Sequence, residues 1–145
     1  MNSALRFETH SDEETRLLGR QLAAQLPCHG VVLLVGDLGT GKTTLAKGII
    51  EGRDAAAADE VSSPTFTLIH EYGDPVSIYH VDLYRVETLE EVRRTGLEDL
   101  FTQSALVLIE WGDRFPALMP DDRIEIRLAH AGENNRSIEV VGLDH

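Results

Sequence analysis

Val31-Val32-Leu33-Leu34-Val35-Gly36-Asp37-Leu38-Gly39-Thr40-Gly41-Lys42-Thr43-Thr44 is the stretch whose reading decides the fold. Five aliphatic residues in succession have the pattern of a strand covered on both faces, as in the middle of a parallel sheet. They run straight into Gly36 to Thr43, which matches G-x-x-x-x-G-K-[ST]. In that motif backbone N–H groups wrap phosphates, the lysine reaches the β and γ phosphates, and the hydroxyl binds magnesium. The glycines are needed because a side chain would block the approach. Four fixed positions match by chance in roughly one chain of this length in a few hundred. A buried-type strand before the loop and a helix after it sharpen the match, because a helix N-terminus favours anions. The expected ligands are ATP and Mg2+. Asp37, Leu38, Gly39, Thr40, Gly41, Lys42, Thr43 and Thr44 are the expected binding residues.

Outward from the loop, Thr44 to Glu51 reads as helix, ending near Gly52, and Arg53 to Glu60 as an alanine-rich surface loop. Toward the N-terminus, Leu5 to Thr9 alternates as a short strand. Ser11 with Glu14 forms a capping box, and Leu17, Leu18, Leu22 and Leu26 recur at helical spacing. Phe66 to Tyr72 and Val76 to Asp82 read as a hairpin around Gly73-Asp74-Pro75. Thr88 with Glu91 starts a short helix stopped by Gly96, and Leu97 to Phe101 a second one. Ala105 to Ile109 is an apolar strand, and Arg123 to His130 with Ser137 to Val141 forms an antiparallel edge hairpin with one wet face. The fold expected is α/β: one domain over residues 1–145, with a mixed central sheet of the P-loop type flanked by helices.

Composition narrows the class further. A chain of 145 residues buries enough surface to fold without a staple, and a single cysteine, Cys28, excludes an intrachain disulfide. No basic-then-apolar leader is visible and no apolar run approaches the ~18 residues of a membrane span, so a cytoplasmic protein is expected. A net charge of −12 argues against this surface gripping a phosphate backbone by itself. No direct nucleic-acid binding by the chain alone is expected, and any nucleic acid is held by a partner. His70, His80 and His130 share no metal-ligand spacing with Cys28, so no zinc site is assigned.

Magnesium beside such a loop usually needs an acid from a neighbouring strand end in addition to the Thr43 hydroxyl. Asp82 and Glu110 each follow an apolar strand, which places both at the carboxyl edge of the sheet. Ser62-Ser63-Pro64-Thr65 occupies the position of a γ-phosphate-sensing switch, or is a plain Ser/Pro turn. Other chemistries use the same loop. A small-molecule kinase would add an arginine-bearing lid, for which only the short stretch Arg85 to Arg94 is available. A nucleotide-gated regulatory switch selective for guanine would carry Asn-Lys-x-Asp, which the sequence lacks.

Four segments taken together resemble the TsaE (YjeE) family. They are Gly36 to Thr44, Ser63-Pro64-Thr65-Phe66-Thr67-Leu68, His80-Val81-Asp82-Leu83-Tyr84-Arg85 and Ile109-Glu110-Trp111. The resemblance implies a P-loop ATPase needed to make threonylcarbamoyladenosine in tRNA, acting with TsaD and TsaB. Position by position, it implies that Thr43 and Glu110 hold magnesium, with Asp82 a second acid near the metal. Lys42 is the phosphate lysine and Thr65 the switch threonine, so Lys42, Asp82, Glu110 and Thr65 form the implied catalytic set. Thr9 and Ser11 match the segment near the base, Arg136 a late arginine near the nucleotide, and Trp111 the family tryptophan beside the site. Gly112-Asp113 departs from the commoner Pro-Glu or Ser-Glu.

Overall fold

The computed structural model describes residues 4–54, 68–73 and 75–143. Within them lie strands β1 (Ala4–Thr9), β2 (Gly30–Val35), β3 (Ile69–Tyr72), β4 (Ile78–Asp82), β5 (Leu106–Glu110), β6 (Ile124–His130) and β7 (Arg136–Val141). The helices are α1 (Asp12–Ala23), α2 (Lys42–Gly52), α3 (Leu89–Arg94) and α4 (Leu97–Leu100). The strands form a 7-stranded sheet in the order β1-β7-β6-β2-β5-β4-β3. β6, β2, β5 and β4 are mutually parallel, and β3, β7 and β1 add antiparallel pairings at the two sides.

Period-two alternation divides the apolar side chains between two layers. Val32, Leu34, Ile78, Leu106, Leu108 and Ile126 pack under α1 and α2 with Leu22, Leu45 and Ile49. Val31, Leu33, Val81, Val107 and Ile109 pack on the other face with Val92 and Leu97 of the short helices. Phe115, Leu118 and Met119, in or flanking two 3-10 turns at Gly112–Arg114 and Pro116–Leu118, complete that layer. β2 and β5 are therefore covered on both sides, as their uninterrupted aliphatic runs require.

Local signals act as the sequence anticipates. Ser11 caps α1 by accepting from the Glu14 N–H at 3.1 Å, and Thr88 caps α3 by accepting from the Glu91 N–H at 3.2 Å. The return bond of the first box differs, since Glu14 Oε1 accepts from the N–H of His10, one residue ahead of the cap. α1 lies against α2 in backbone contact. A Cβ on Gly19 would stand 2.5 Å from the Leu45 carbonyl oxygen, and one on Gly48 would overlap the carbonyl oxygen of Arg16. Arg53, just past α2, donates to the carbonyls of Ala23 at 2.8 Å and Pro27 at 2.8 Å, tying the two helix ends together.

Some boundaries depart from the sequence reading. Leu17 is 50% exposed, and the buried face of α1 is made instead by Thr15, Leu18, Gly19, Leu22 and Ala23. The stripe is narrow because the facing helix comes too close for large side chains. The β6–β7 hairpin is interior, not an edge: β6 pairs with β2 and β7 with β1, so β1 is the edge strand. Its wet face survives, with Arg127 and Ser137 exposed. β3 begins at Ile69, and Phe66 and Thr67 lie outside the described residues.

Candidate functional site

Because β2, β4 and β5 are parallel, the loop after β2 and the acids that end the other two strands meet at one sheet edge. A cavity of about 420 Å³ opens there. Among the residues lining it are Leu38, Gly39, Gly41, Lys42, Thr43 and Thr44 of the loop, together with Asp82, Glu110, Trp111 and Arg136. Asp12, which the sequence reading does not select, also lines it, as do Leu68, Tyr84 and Arg85, which lie in the segments that carry the family resemblance but are assigned no site role. No sequence signal distinguishes Asp12 from an ordinary surface side chain, since only the folded edge brings it to the loop.

The loop takes its shape from two left-handed glycines, Gly39 at φ +80° and Gly41 at φ +100°, a region that L side chains rarely enter. Gly41 is also the residue from which α2 starts, so the helix N-terminus faces the cavity. The buried Thr40 hydroxyl donates to the Asp37 carbonyl at 2.8 Å and braces the loop from within. Lys42 folds back over the loop, donating from Nζ to the Gly36 carbonyl at 2.6 Å. Its ammonium lies 3.4 Å from the centroid of the Trp111 ring, within cation–π range. Burial lowers the Lys42 pKa from the ordinary lysine value, and the charges of Glu110, Asp113, Asp82 and Asp37 act in the opposite direction.

Trp111 reaches this position through a left-handed backbone, φ 67°, which a bulky side chain seldom adopts. Its ring also packs on Tyr84, with centroids 5.2 Å apart. The next residue, Gly112, leaves no room for a side chain: a Cβ would stand 2.8 Å from Ile109 Cγ2 and 3.0 Å from Met119 Sδ. The glycine at this departure from the family pattern is thus matched to tight local packing.

Asp82 and Glu110 are register partners on adjacent strands, and alternation from Ile78 and Leu108 points both toward the α2 layer. The Thr43 hydroxyl lies 3.0 Å and 2.9 Å from the two Glu110 carboxylate oxygens. Glu110 is only 3% exposed. Asp82 is half-buried and accepts from the Tyr84 N–H at 2.9 Å. His80, assigned no role by its spacing, is wholly buried and places Nε2 2.6 Å from Glu110 Oε2. A histidine set two residues before a strand-end acid, on the same face, is the signal that could have found it.

Other selected residues serve the surroundings of the cavity. Thr9 shares a 2.7 Å hydroxyl contact with buried Thr15, and Ser11 is engaged as the α1 cap. Arg136 pairs across the sheet with Thr9 and His130, and donates to the Asn135 carbonyl at 3.1 Å. Thr65 and the rest of Ser62 to Thr67 lie outside the described residues.

The donor set suits the expected ligands. A hydroxyl and carboxylates are hard oxygen donors of the kind Mg2+ prefers, and too few for an all-protein cage, as when phosphate oxygens complete the shell. Among the described residues no cluster of three or more His, Cys, Asp or Glu could hold a metal unaided. A lysine and a helix N-terminus on the same cavity suit phosphate.

A parallel strand entering a glycine loop that opens a helix, with two strand-end acids facing it, defines a P-loop protein with an α/β fold. Residues 9–138 match the family described as threonylcarbamoyl adenosine biosynthesis protein TsaE, and the chain belongs to that family. The Bacillus subtilis (strain 168) tRNA threonylcarbamoyladenosine biosynthesis protein TsaE is 38% identical over 135 residues, covering 92% of this chain and 83% of its own. The protein of the same name from Treponema pallidum (strain Nichols) is 32% identical over 136 residues, covering 94% and 99%. The crystal structure of Bacillus subtilis YdiB superposes with a TM-score of 0.78 at 33% identity, covering 99% of this chain and 88% of that one. Among the described residues no helix is long and apolar enough to cross a membrane.

Proposed function

We propose that the chain binds and hydrolyses ATP with Mg2+ and acts with TsaB and TsaD in forming threonylcarbamoyladenosine on tRNA. The observation that carries this reading is the convergence of Lys42, Thr43 and Glu110 on one cavity at the carboxyl edge of the parallel strands. The names of the relatives support the pathway.

In this reading Lys42 leaves the Gly36 carbonyl to engage phosphate, and the backbone N–H groups of the loop and the α2 N-terminus bind the remaining charge. Thr43 and Glu110 hold Mg2+, which when bound neutralises charge on the transferred phosphoryl group. Asp82, half-buried at the cavity, is assigned to orient the attacking water, and Glu110, buried beside the Thr43 hydroxyl, to the metal. Thr65 belongs to the same proposal as a switch threonine. The Trp111 ring, itself packed on Tyr84, covers the Lys42 ammonium.

The test is ATP hydrolysis by the purified chain, alone and after addition of purified TsaB and TsaD, with Lys42→Ala as the control. Hydrolysis stimulated by the partners and abolished in the variant is the expected result. ATP binding without hydrolysis in either condition would leave a nucleotide-gated assembly factor and overturn the ATPase reading.

A further inference from the structure

Six polar or charged side chains are buried among the described residues: Thr9, Thr15, Thr40, Lys42, His80 and Glu110. Thr9 and Thr15 satisfy each other, Thr40 braces the loop, and Lys42 and Glu110 belong to the proposed site. His80 remains to be explained. It sits in the middle of β4, 0% exposed, between Tyr79 and Val81, where a leucine would fill the volume without burying polar atoms.

The ring makes one polar contact among the described residues, Nε2 to Glu110 Oε2 at 2.6 Å, and its Nδ1 has no hydrogen-bond partner there. That bond crosses from β4 to β5 on the α2 side of the sheet, and Glu110 in turn meets the Thr43 hydroxyl at the start of α2. The three side chains form a line from the sheet interior to the phosphate loop. A glutamate terminal torsion is broad and roughly two-fold, so the carboxylate plane is not set by its own rotamer. Thr43 alone, a single hydroxyl shared between both oxygens, does not set it either. A second donor on Oε2 does.

We propose that His80 is a positioning residue: its Nε2–H, by holding Oε2, fixes the Glu110 carboxylate in the orientation in which it and Thr43 receive Mg2+. This rests on the reading of Glu110 as a magnesium residue given above. Partners that orient metal-binding carboxylates and imidazoles from behind typically change metal affinity by 10–100-fold when removed.

The test measures ADP binding by calorimetry with the purified full chain, in EDTA and across a Mg2+ titration, for wild type, His80→Leu, His80→Gln, His80→Asn and Glu110→Gln. Glutamine can carry its amide nitrogen to about the place of Nε2, whereas asparagine is too short. The expected result is that His80→Leu and His80→Asn raise the Mg2+ concentration for half-maximal enhancement by about 10-fold. His80→Gln restores most of it, and EDTA-state affinity is unchanged in all three. Equal Mg2+ dependence in wild type and His80→Leu, or an equal loss with and without Mg2+, overturns the inference. If His80→Leu does not fold, the pair Gln and Asn decides, and equal Mg2+ dependence of the two overturns it. Glu110→Gln separates the premises: if it leaves the Mg2+ dependence intact the reading of Glu110 itself fails, whatever the His80 variants do.

Discussion

Lys42 is held by two groups with which a phosphate must compete, the Gly36 carbonyl and the Trp111 ring. Burial already depresses its pKa, so the ammonium gains most from an anion brought beside it. Two consequences can be measured. In the proposed site Lys42 is the main charged donor to the phosphates, and Lys42→Ala should lower ATP turnover about 100-fold or more, by analogy with the loss of one oxyanion donor. Trp111 is the single tryptophan of the chain. Its emission should change on adding ADP and Mg2+ to wild type, as the cation leaves the ring, and stay unchanged in Lys42→Ala. An unaltered wild-type spectrum at saturating ADP would show that Lys42 keeps its place. At this scale the sequence announces residues whose chemistry is tied to local spacing: Lys42 and Thr43 by the motif, Asp82 and Glu110 by ending apolar strands. It does not announce the bond between His80 and Glu110, whose residues are 30 positions apart. It is silent also on the contact between Trp111 and Lys42, which needs the left-handed turn at Trp111.

The phosphate loop is carried by an element whose own support is unusually close. α2 meets α1 through Gly19 and Gly48, where backbone touches backbone, and Arg20 of α1 pairs with Glu51 of α2. Gly48→Ala has to push the helices apart, an overpacking change that should cost about 1–3 kcal/mol. Urea unfolding should show a lowered midpoint with the slope retained. Gly39→Ala provides the contrast, since a Cβ there meets nothing within 4 Å and the penalty comes from φ alone. The elements themselves are largely legible in the sequence, because capping boxes at Ser11 and Thr88 and the aliphatic runs of β2 and β5 are local signals. Side-chain exposure on α1 is less so: Leu17 follows the helical period yet faces solvent, because glycine contacts narrow the buried stripe. The sequence starts α2 at Thr44, two residues late, since the motif reads as loop where Lys42 and Thr43 already form the first turn.

Over the whole molecule, strand order is what the sequence leaves open. β1 and β7 are 127 or more positions apart yet pair residue by residue, Thr9 with Arg136 and Ala4 with Val141, and nothing local encodes that choice. The pairing brings Arg136 and the start of α1 to the edge where the loop lies. The face of β6 and β7 away from the helices carries an ion network centred on Glu125, which Arg123 contacts at 3.0 Å and Arg127 at 3.1 Å. Burial alone would raise the Glu125 carboxyl, but the hydrogen bonds and charges of Arg127 and Arg123 more than reverse this and hold it below the ordinary glutamate value. A depressed folded pKa contributes stability above the unfolded value, about 4.3, and loses it as pH falls through the lower folded value. Glu125→Gln should therefore be less stable than wild type at neutral pH, with the gap closing in acid, as read by urea midpoints at several pH values. In the proposed function, the net charge of −12 assigns the grip on tRNA to the partner proteins rather than to this chain. The central claim is tested most directly by reconstituting threonylcarbamoyladenosine formation on tRNA with purified TsaB, TsaD, a threonylcarbamoyl donor, ATP and Mg2+, with this chain, with Lys42→Ala, or without either. Sustained modification that requires the wild-type chain is the predicted result; equal modification with Lys42→Ala, or with no chain added, would contradict it.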